Sequence, residues 1–376
     1  MIAPTGVDAQ TKLKVAQSID AIDFLPVYVA REKGFFKDEG LDLELTVTGA
    51  SGPDVAALIA REVDFAATAP QPMFNVAAAG QKVVGIFNIA KHTSVQVLIN
   101  NQTATKIGFE PNWDLKKRVS ALKGLKIGIT RPGALTDSLA RHYIDAAGYK
   151  AGSDVQIVAV GGGPAMLAAL EQGHVDLIMG YSPIAEQHLV GKKSQMFIDV
   201  AKGEDPAIKE LLGQVLATRP DIIEQKPEVV TKVIAALLRA NKWVLSSSDD
   251  EVAAVITKFF PTLDPQAIRL TAAHQRVMTP GDGKITRDGV NTAMKMHVTG
   301  GGKPEIPPFD QLFSNRFLDG RESSLRSKRG VPCWRCRDLP HRRKPGFGNP
   351  NRSSFVMSAS GSAVGAISCR RSRAST

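Results

Sequence analysis

The chain has 376 residues, 43% of them hydrophobic and 22% charged, which allows two packed domains and is typical of a soluble globular protein without a membrane-spanning run. Its net charge of +10 suggests nucleic-acid binding, but residues 321–376 contain 13 Lys or Arg and only two acidic residues. The remaining chain has 34 basic and 35 acidic residues, so we expect no nucleic-acid partner.

The N-terminal segment, residues 1–11, is predicted to be the remainder of a trimmed export signal. Small residues at Val7 and Ala9 fit the specificity of a signal peptidase, although a disordered cytoplasmic N-terminus is the alternative. Residues 12–320 contain no cysteine, which suits export without proving it.

From residue 12 the chain carries one pattern twice. The first copy predicts a strand at 13–17, an amphipathic helix ending at Gly34 and an alternating strand at 41–47. The second copy predicts a strand at 125–129, a helix at 135–147 and a strand at 155–160. Each copy therefore begins as a strand, a helix and a second strand.

Both copies continue with a Gly-Pro step that opens an Ala-rich helix, at Gly52-Pro53 and at Gly163-Pro164. A strand with a Val-Asp pair follows each helix, at residues 63–66 and 175–178. Such βαβαβ units have right-handed crossovers and form parallel sheets. The sequence thus predicts an α/β fold of two lobes, each a mainly parallel sheet flanked by helices, with a cleft between them.

The chain after the second copy predicts helices at 227–245, 250–260 and 265–276, which we expect to pack on the first lobe. The predicted first lobe comprises residues 12–100 and 215–320, and the second comprises residues 120–202. Crossovers are predicted at 101–119 and 203–214, and paired crossovers permit hinge closure.

Residues 321–376 change abruptly to Arg, Ser, Gly and Pro and predict a disordered basic tail. The change also fits translation in a shifted reading frame, and an inert tail or a functional arm are the alternatives. All three cysteines lie here, and Cys333 and Cys336 with His341 give only a weak zinc pattern, so no metal site is predicted.

Four segments together resemble the solute-binding proteins of ABC importers of the nitrate, sulfonate and taurine type, and the related pyrimidine-precursor binders. They are residues 26–40 (PVYVAREKGFFKDEG), 57–65 (ALIAREVDF), 133–148 (GALTDSLARHYIDAAG) and 160–176 (VGGGPAMLAALEQGHVD). The resemblance implies a type II periplasmic-binding-protein fold, an extracytoplasmic location, and ABC permease and ATPase partners. It also implies capture of a small organic anion (a sulfonate, taurine or a nitrate-like ion) or a small heteroaromatic by hinge closure. We expect a monomer that meets the membrane only through the permease.

The loop at 130–136 opens a helix directly after a strand, so its free N–H groups predict an anion-binding site. Arg131 could add a bidentate contact, or it could be a solvated loop residue with Thr136 as a simple helix cap. The equivalent first loop offers Asp20, whose charge opposes an anion and favours a ligand with an amine or ring N–H. Tyr181 could stack on a ring or pack structurally, and His92 could contact the ligand or be solvated.

The complete set of predicted ligand-binding residues is Ser18, Asp20, Phe24, Ala50, Ser51, Thr68, Gln71, His92, Arg131, Gly133, Ala134, Thr136, Gly162, Tyr181 and Ser182. No catalytic motif or cofactor is predicted. An enzyme on the same fold, such as a pyrimidine-precursor synthase or a dehydratase, is the first alternative function. A ligand-sensing domain is the second.

Overall fold

The computed structural model describes residues 10–319, which contain two five-stranded sheets flanked by helices. The strands are β1 (Thr11–Gln17), β2 (Leu41–Val47), β3 (Phe65–Thr68), β4 (Val84–Ala90), β5 (Val95–Asn100), β6 (Lys126–Ile129), β7 (Gln156–Ala159), β8 (Leu177–Tyr181), β9 (Ser194–Asp199) and β10 (Gln214–Thr218). The first sheet has the order β2-β1-β3-β10-β4, and the second has the order β7-β6-β8-β5-β9.

The helices are α1 (Leu25–Glu32), α2 (Phe35–Asp38), α3 (Pro53–Ile59), α4 (Pro70–Ala78), α5 (Asn101–Ile107), α6 (Leu115–Ser120), α7 (Leu135–Ala146), α8 (Pro164–Glu171), α9 (Ile184–Val190), α10 (Pro220–Gln225), α11 (Pro227–Ser246), α12 (Asp249–Phe259), α13 (Pro265–Met278), α14 (Arg287–Thr299) and α15 (Phe309–Leu312). Helices α3, α7 and α8 start at Pro53, Leu135 and Pro164, the positions that the repeat predicts. Short 3₁₀ turns lie at Ile22–Phe24 and Pro206–Ile208. Within residues 10–319, no helix has both the length and the apolar character that crossing a membrane requires.

The two sheets repeat one mixed topology. In the first sheet β1 pairs in parallel with β2 and β3, and β10 runs antiparallel between β3 and β4. In the second sheet β6 pairs in parallel with β7 and β8, and β5 runs antiparallel between β8 and β9. Each sheet thus has four parallel strands and one antiparallel strand, which confirms the prediction of mainly parallel sheets.

The Val-Asp pair has the same structural role in both copies. The backbone N–H of Lys14 donates to Asp64 Oδ2 over 3.0 Å, and that of Lys126 donates to Asp176 Oδ2 over 2.8 Å. The backbone N–H of each aspartate donates in turn to the carbonyl of the same lysine. Because the aspartate joins the neighbouring strand in this way, β3 and β8 begin one residue after it.

The chain changes sheets earlier than predicted. β4 lies in the first sheet and β5 in the second, so the first crossing spans residues 91–94 rather than 101–119. The return crossing spans 200–213, close to the predicted 203–214. Residues 95–100 therefore belong with the second sheet, where β5 hydrogen-bonds to β8 and β9.

The C-terminal helices contact elements of both sheets. α11 lies against α1 and α2 and buries Val230, Val233, Ile234 and Leu237. α13, however, contacts α9, and α14 contacts both α4 and α7. The prediction that these helices pack on the first lobe is therefore only partly right, because α13 and α14 also contact helices that flank the second sheet. The predictions for residues 1–9 and 321–376 lie outside the described residues.

Candidate functional site

A narrow cavity lies among the loops that follow the parallel strands of the two sheets. It is lined by Ile19, Asp23, Ser51, Thr93, Val95, Thr130, Ala134, Leu135, Thr136, Tyr181 and Gln214. About 20 Å³ is open to the centres of water molecules, which is room for roughly one water. The carboxyl ends of parallel strands are where ligands bind in open α/β sheets, so this cavity is the candidate site.

The wall from the second sheet is the start of α7. The backbone N–H of Thr130 donates to Thr136 Oγ1 over 3.0 Å, and the two threonine hydroxyls lie 2.7 Å apart, which fixes the loop. The N–H of Gly133 donates to Asp137 Oδ2 over 2.8 Å and is therefore already occupied. Leu135 and Thr136 open the helix, and first-turn N–H groups have no partner within a helix. These two N–H groups are the backbone donors that the start of α7 offers a ligand.

The wall from the first sheet carries a buried acid. Asp23 is 2% exposed, and its Oδ1 accepts from the backbone N–H of Ser94 over 3.0 Å. Its Oδ2 accepts from the Ser94 hydroxyl. Burial raises the pKa of Asp23 to about 6, although hydrogen bonds from Ser94 and, to a smaller extent, Gln214 lower it. Ser94 lies in the first crossing and Gln214 opens β10, so Asp23 contacts the first connection between the sheets and the strand that the second connection leads into.

Several buried polar groups lie behind this wall. Ser18 follows β1, and Gln71 lies in the first turn of α4; both are fully buried. The Ser18 hydroxyl, both amide atoms of Gln71 and Oε1 of Gln214 have no hydrogen-bond partner among residues 10–319. Nearby Asp54 is also fully buried, and burial raises its pKa to about 6. Unpaired buried polar atoms are costly, so this concentration of them marks a functional region.

The loops of the two sheets touch beside the cavity. A Cβ on Gly162, which follows β7, would lie 2.7 Å from the Tyr181 hydroxyl and 2.9 Å from the carbonyl oxygen of Gly49, which follows β2. The N–H of Gly163 donates to the Tyr181 hydroxyl over 2.6 Å, and burial raises the pKa of Tyr181 to about 12. Only glycine fits at position 162 in this closed arrangement.

A buried acid also links α9 to α13. Glu186 is 2% exposed, and its Oε1 accepts from Gln96 Nε2 over 2.7 Å and from the Ser182 hydroxyl over 2.8 Å. Nδ1 of His274 on α13 lies 3.5 Å from the same oxygen, and Glu186 raises the pKa of His274. This contact joins the C-terminal helices to the second sheet on one side of the cavity.

The sequence profile of the family described as NMT1/THI5 like matches residues 21–251, which is more than half of the chain. The chain belongs to the NMT1/THI5-like family. It is 27% identical over 257 residues to the nitrate/nitrite binding protein NrtA of Nostoc sp., covering 64% of this chain and 56% of that relative.

Solved structures show the fold of this family member. The periplasmic nitrate-binding protein NrtA of Synechocystis PCC 6803 superposes with a TM-score of 0.68 at 15% identity, covering 86% of this chain and 91% of that chain. The periplasmic aliphatic sulphonate binding protein SsuA of Escherichia coli gives 0.61 at 16% identity, covering 82% and 99%. The predicted periplasmic-binding-protein fold is thus confirmed.

Four of the fifteen predicted site residues of this family member line the cavity: Ser51, Ala134, Thr136 and Tyr181. Ser18, Thr68 and Gln71 are fully buried behind it, and Ala50 is buried beside Ser51. Gly162 lies against Tyr181, one of the residues that line the cavity. Gly133 instead lines a separate groove with Asp137 and His297. Ligand contact by each of these residues stays a prediction.

The other predicted residues do not line the cavity. Phe24 is fully buried in the hydrophobic core, and Ser182 is bound to Glu186. Asp20 is exposed and accepts from the Tyr28 hydroxyl over 3.4 Å; partial burial raises its pKa. His92 is half-buried, and burial lowers its pKa. Arg131 is exposed, and its Nη1 lies 3.9 Å from the position of a Cβ on Gly52 across the cleft.

Sequence reasoning missed Asp23 and Gln214, the two residues that place a buried carboxyl group and a buried amide in the first-sheet wall. Asp23 lies in the loop that the repeat singles out, three residues beyond Asp20, so its type and location were visible. The burial of Asp23 could not be seen in the sequence, because Ser94, which covers it, comes 71 residues later.

Residues 10–319 contain no group of three His, Cys, Asp or Glu side chains placed to hold a metal ion.

Proposed function

We propose that this protein is the solute-binding component of an ABC importer and captures a small organic acid in the cavity between the two sheets. The observation that carries the proposal is the convergence of strand-end loops from both sheets on one cavity, with the first turn of α7 in its wall. Helix N-termini favour anions through free N–H groups and the helix dipole.

Family membership and the names of the compared proteins support this function. The Nostoc relative is named for nitrate and nitrite, and the E. coli structure for aliphatic sulphonates. These names also favour binding over catalysis. The two compared structures are named periplasmic, which supports an extracytoplasmic location and delivery of the solute to a permease and its ATPase.

Ligand entry requires the two sheets to separate, because the cavity has room for roughly one water. We expect residues 91–94 and 200–213, the two connections between the sheets, to act as the hinge, and paired connections of this kind permit domain closure. The two halves of the fold would then act as lobes that close around the solute.

Isothermal titration calorimetry with ethanesulfonate, taurine, propionate and nitrate tests this function. A matched pair of variants isolates the helix N-terminus. Leu135→Pro removes one N–H at a helix position that tolerates proline, and the extended backbone of Ala134 is compatible with a following proline. Leu135→Ala removes the same side chain but keeps that N–H.

If α7 binds the acidic group, Leu135→Pro should weaken binding about tenfold or more relative to Leu135→Ala, the magnitude of one hydrogen bond to a charged group. Equal affinities in the two variants would contradict anion binding at this helix. Turnover of any of these compounds would contradict a pure binding function.

A further inference from the structure

The cavity wall has an unusual charge balance for a site that accepts an acid. Among its eleven lining residues, Asp23 is the only acid, and none is Lys, Arg or His. Arg131 and His92 do not line the cavity: His92 is half-buried, and Arg131 is exposed, with its Nη1 3.9 Å from the position of a Cβ on Gly52, next to the lining residue Ser51. A simple inorganic anion inside the cavity would therefore face a carboxyl group with no cationic side chain among the lining residues.

The first-sheet wall presents hydrogen-bond acceptors. Asp23 already accepts one hydrogen bond from Ser94 on each oxygen and a weaker one from Gln214, but each carboxylate oxygen has two acceptor positions, so capacity remains. Oε1 of Gln214 is a second acceptor on this wall; the residue is 3% exposed, and this atom has no partner among residues 10–319. A buried acceptor of this kind needs a donor, which an ordered water or a group on the ligand can supply.

The opposite wall presents donors, namely the first-turn N–H groups of Leu135 and Thr136. Apart from the lining hydroxyl groups, which can donate or accept, the cavity thus has acceptors on the first-sheet wall and donors on the second-sheet wall. A ligand matches this polarity if it carries N–H groups at one end and an acidic group at the other. A nitrate ion or an alkanesulfonate supplies only the acidic end.

We propose that the solute is a small amino-bearing acid, whose N–H groups contact Asp23 and Gln214 while its acidic group contacts the start of α7. This inference rests on the proposed function and narrows its substrate class. It assigns Asp23 as the residue that discriminates amino-bearing acids from simple anions, since removing a partner from a buried polar group is strongly disfavoured.

Matched ligand pairs that differ by one amino group test the assignment by calorimetry on the full chain. The pairs are taurine with ethanesulfonate, β-alanine with propionate, and 2-aminoethylphosphonate with ethylphosphonate, and nitrate is the simple anion. We expect the amino-bearing member of at least one pair to bind at least about tenfold more tightly, which corresponds to one charge-assisted hydrogen bond.

The variant Asp23→Asn should bring the two members of that pair to within about threefold of each other, whereas Leu135→Pro should weaken both members alike. Gln214→Met, which removes the second acceptor at similar volume, should weaken only the amino-bearing member and serves if Asp23→Asn does not fold. Circular dichroism and thermal unfolding establish that each variant is folded.

Two results would overturn the inference in different ways. If wild-type protein binds an amine-free member or nitrate as tightly as the amino-bearing member, the assignment of Asp23 is wrong but the binding function stands. If no member of any pair binds, the proposed capture of small organic acids at this site is wrong as well.

Discussion

Asp23→Asn should make the protein more stable at neutral pH, although it removes a hydrogen-bonded side chain. Burial raises the pKa of Asp23 from its ordinary 3.8 to about 6, so the folded protein resists its ionisation. The rise of the pKa from 3.8 to about 6 corresponds to ~3 kcal/mol of unfolding free energy above pH 6. Asparagine has nearly the same shape, keeps an oxygen to accept from the Ser94 N–H and carries no charge.

The sign of the pH dependence follows from proton binding. Between pH 3.8 and about 6 the folded state holds more protons on Asp23 than the unfolded state does, so this residue lowers stability as pH rises through that window. The gain from Asp23→Asn should therefore be near zero below pH 4, rise to about half its maximum at pH 5 and level off at ~3 kcal/mol above pH 6.

Urea unfolding followed by circular dichroism, from pH 4 to pH 8 with a reductant present, measures this difference. The exposed Asp42→Asn is the control, for which we expect a change within about 0.5 kcal/mol at every pH. If the stability curves of wild type and Asp23→Asn run parallel across this range, Asp23 does not titrate there, and the argument from burial is refuted.

Three other perturbations probe the site and the closed arrangement. The affinity for the amino-bearing probe should fall about tenfold per pH unit below the Asp23 pKa of about 6, and calorimetry across pH would show a flat profile if that carboxylate takes no part. Glu186→Ala should lower the unfolding free energy by about 3 kcal/mol in urea titrations, because its buried donors lose their acceptor, whereas Glu186→Gln should cost less. Because Glu186 raises the pKa of His274, the stability from this contact should be present at low pH and lost as pH rises through that raised pKa. An NMR titration of His274 that is the same in Glu186→Gln as in wild type would contradict this pairing. Gly162→Ala should weaken solute binding about tenfold and leave an expanded particle in small-angle scattering, whereas Gly281→Ala, with a nearest contact of 3.6 Å, should match wild type in both measurements.

The repeated frame could be predicted because it rests on local patterns. Gly52 and Gly163 have a positive φ of 117° and 59°, and each is followed by a proline that opens a helix. Glycine permits such a φ and proline suits the first helical position, so two adjacent residues are enough to predict this backbone. The Val-Asp pairs are equally local, because Asp64 and Asp176 each bind the backbone of the neighbouring strand.

The change of sheets between β4 and β5 could not be predicted in the same way. Both strands are buried along nearly their whole length, so their apolar patterns look alike and give no sign of which sheet each one joins. Their partners decide this: β10 arrives more than a hundred residues after β4, and β8 lies some eighty residues after β5. Apolar periodicity contains no information about partners at that distance.

The chemistry of the cavity follows a different logic from its frame. The loop after β1, which holds Asp23, and the loop after β6, which leads into α7, are equivalent parts of the two copies. In the first copy this loop offers a carboxyl acceptor, and in the second it offers helix N–H donors. The aspartates that fix the strands have kept one role in both copies, whereas the loops that face the cavity have acquired opposite ones. A duplicated fold can therefore bind an asymmetric solute, because the copies share the backbone that positions each wall but not the groups that the wall presents.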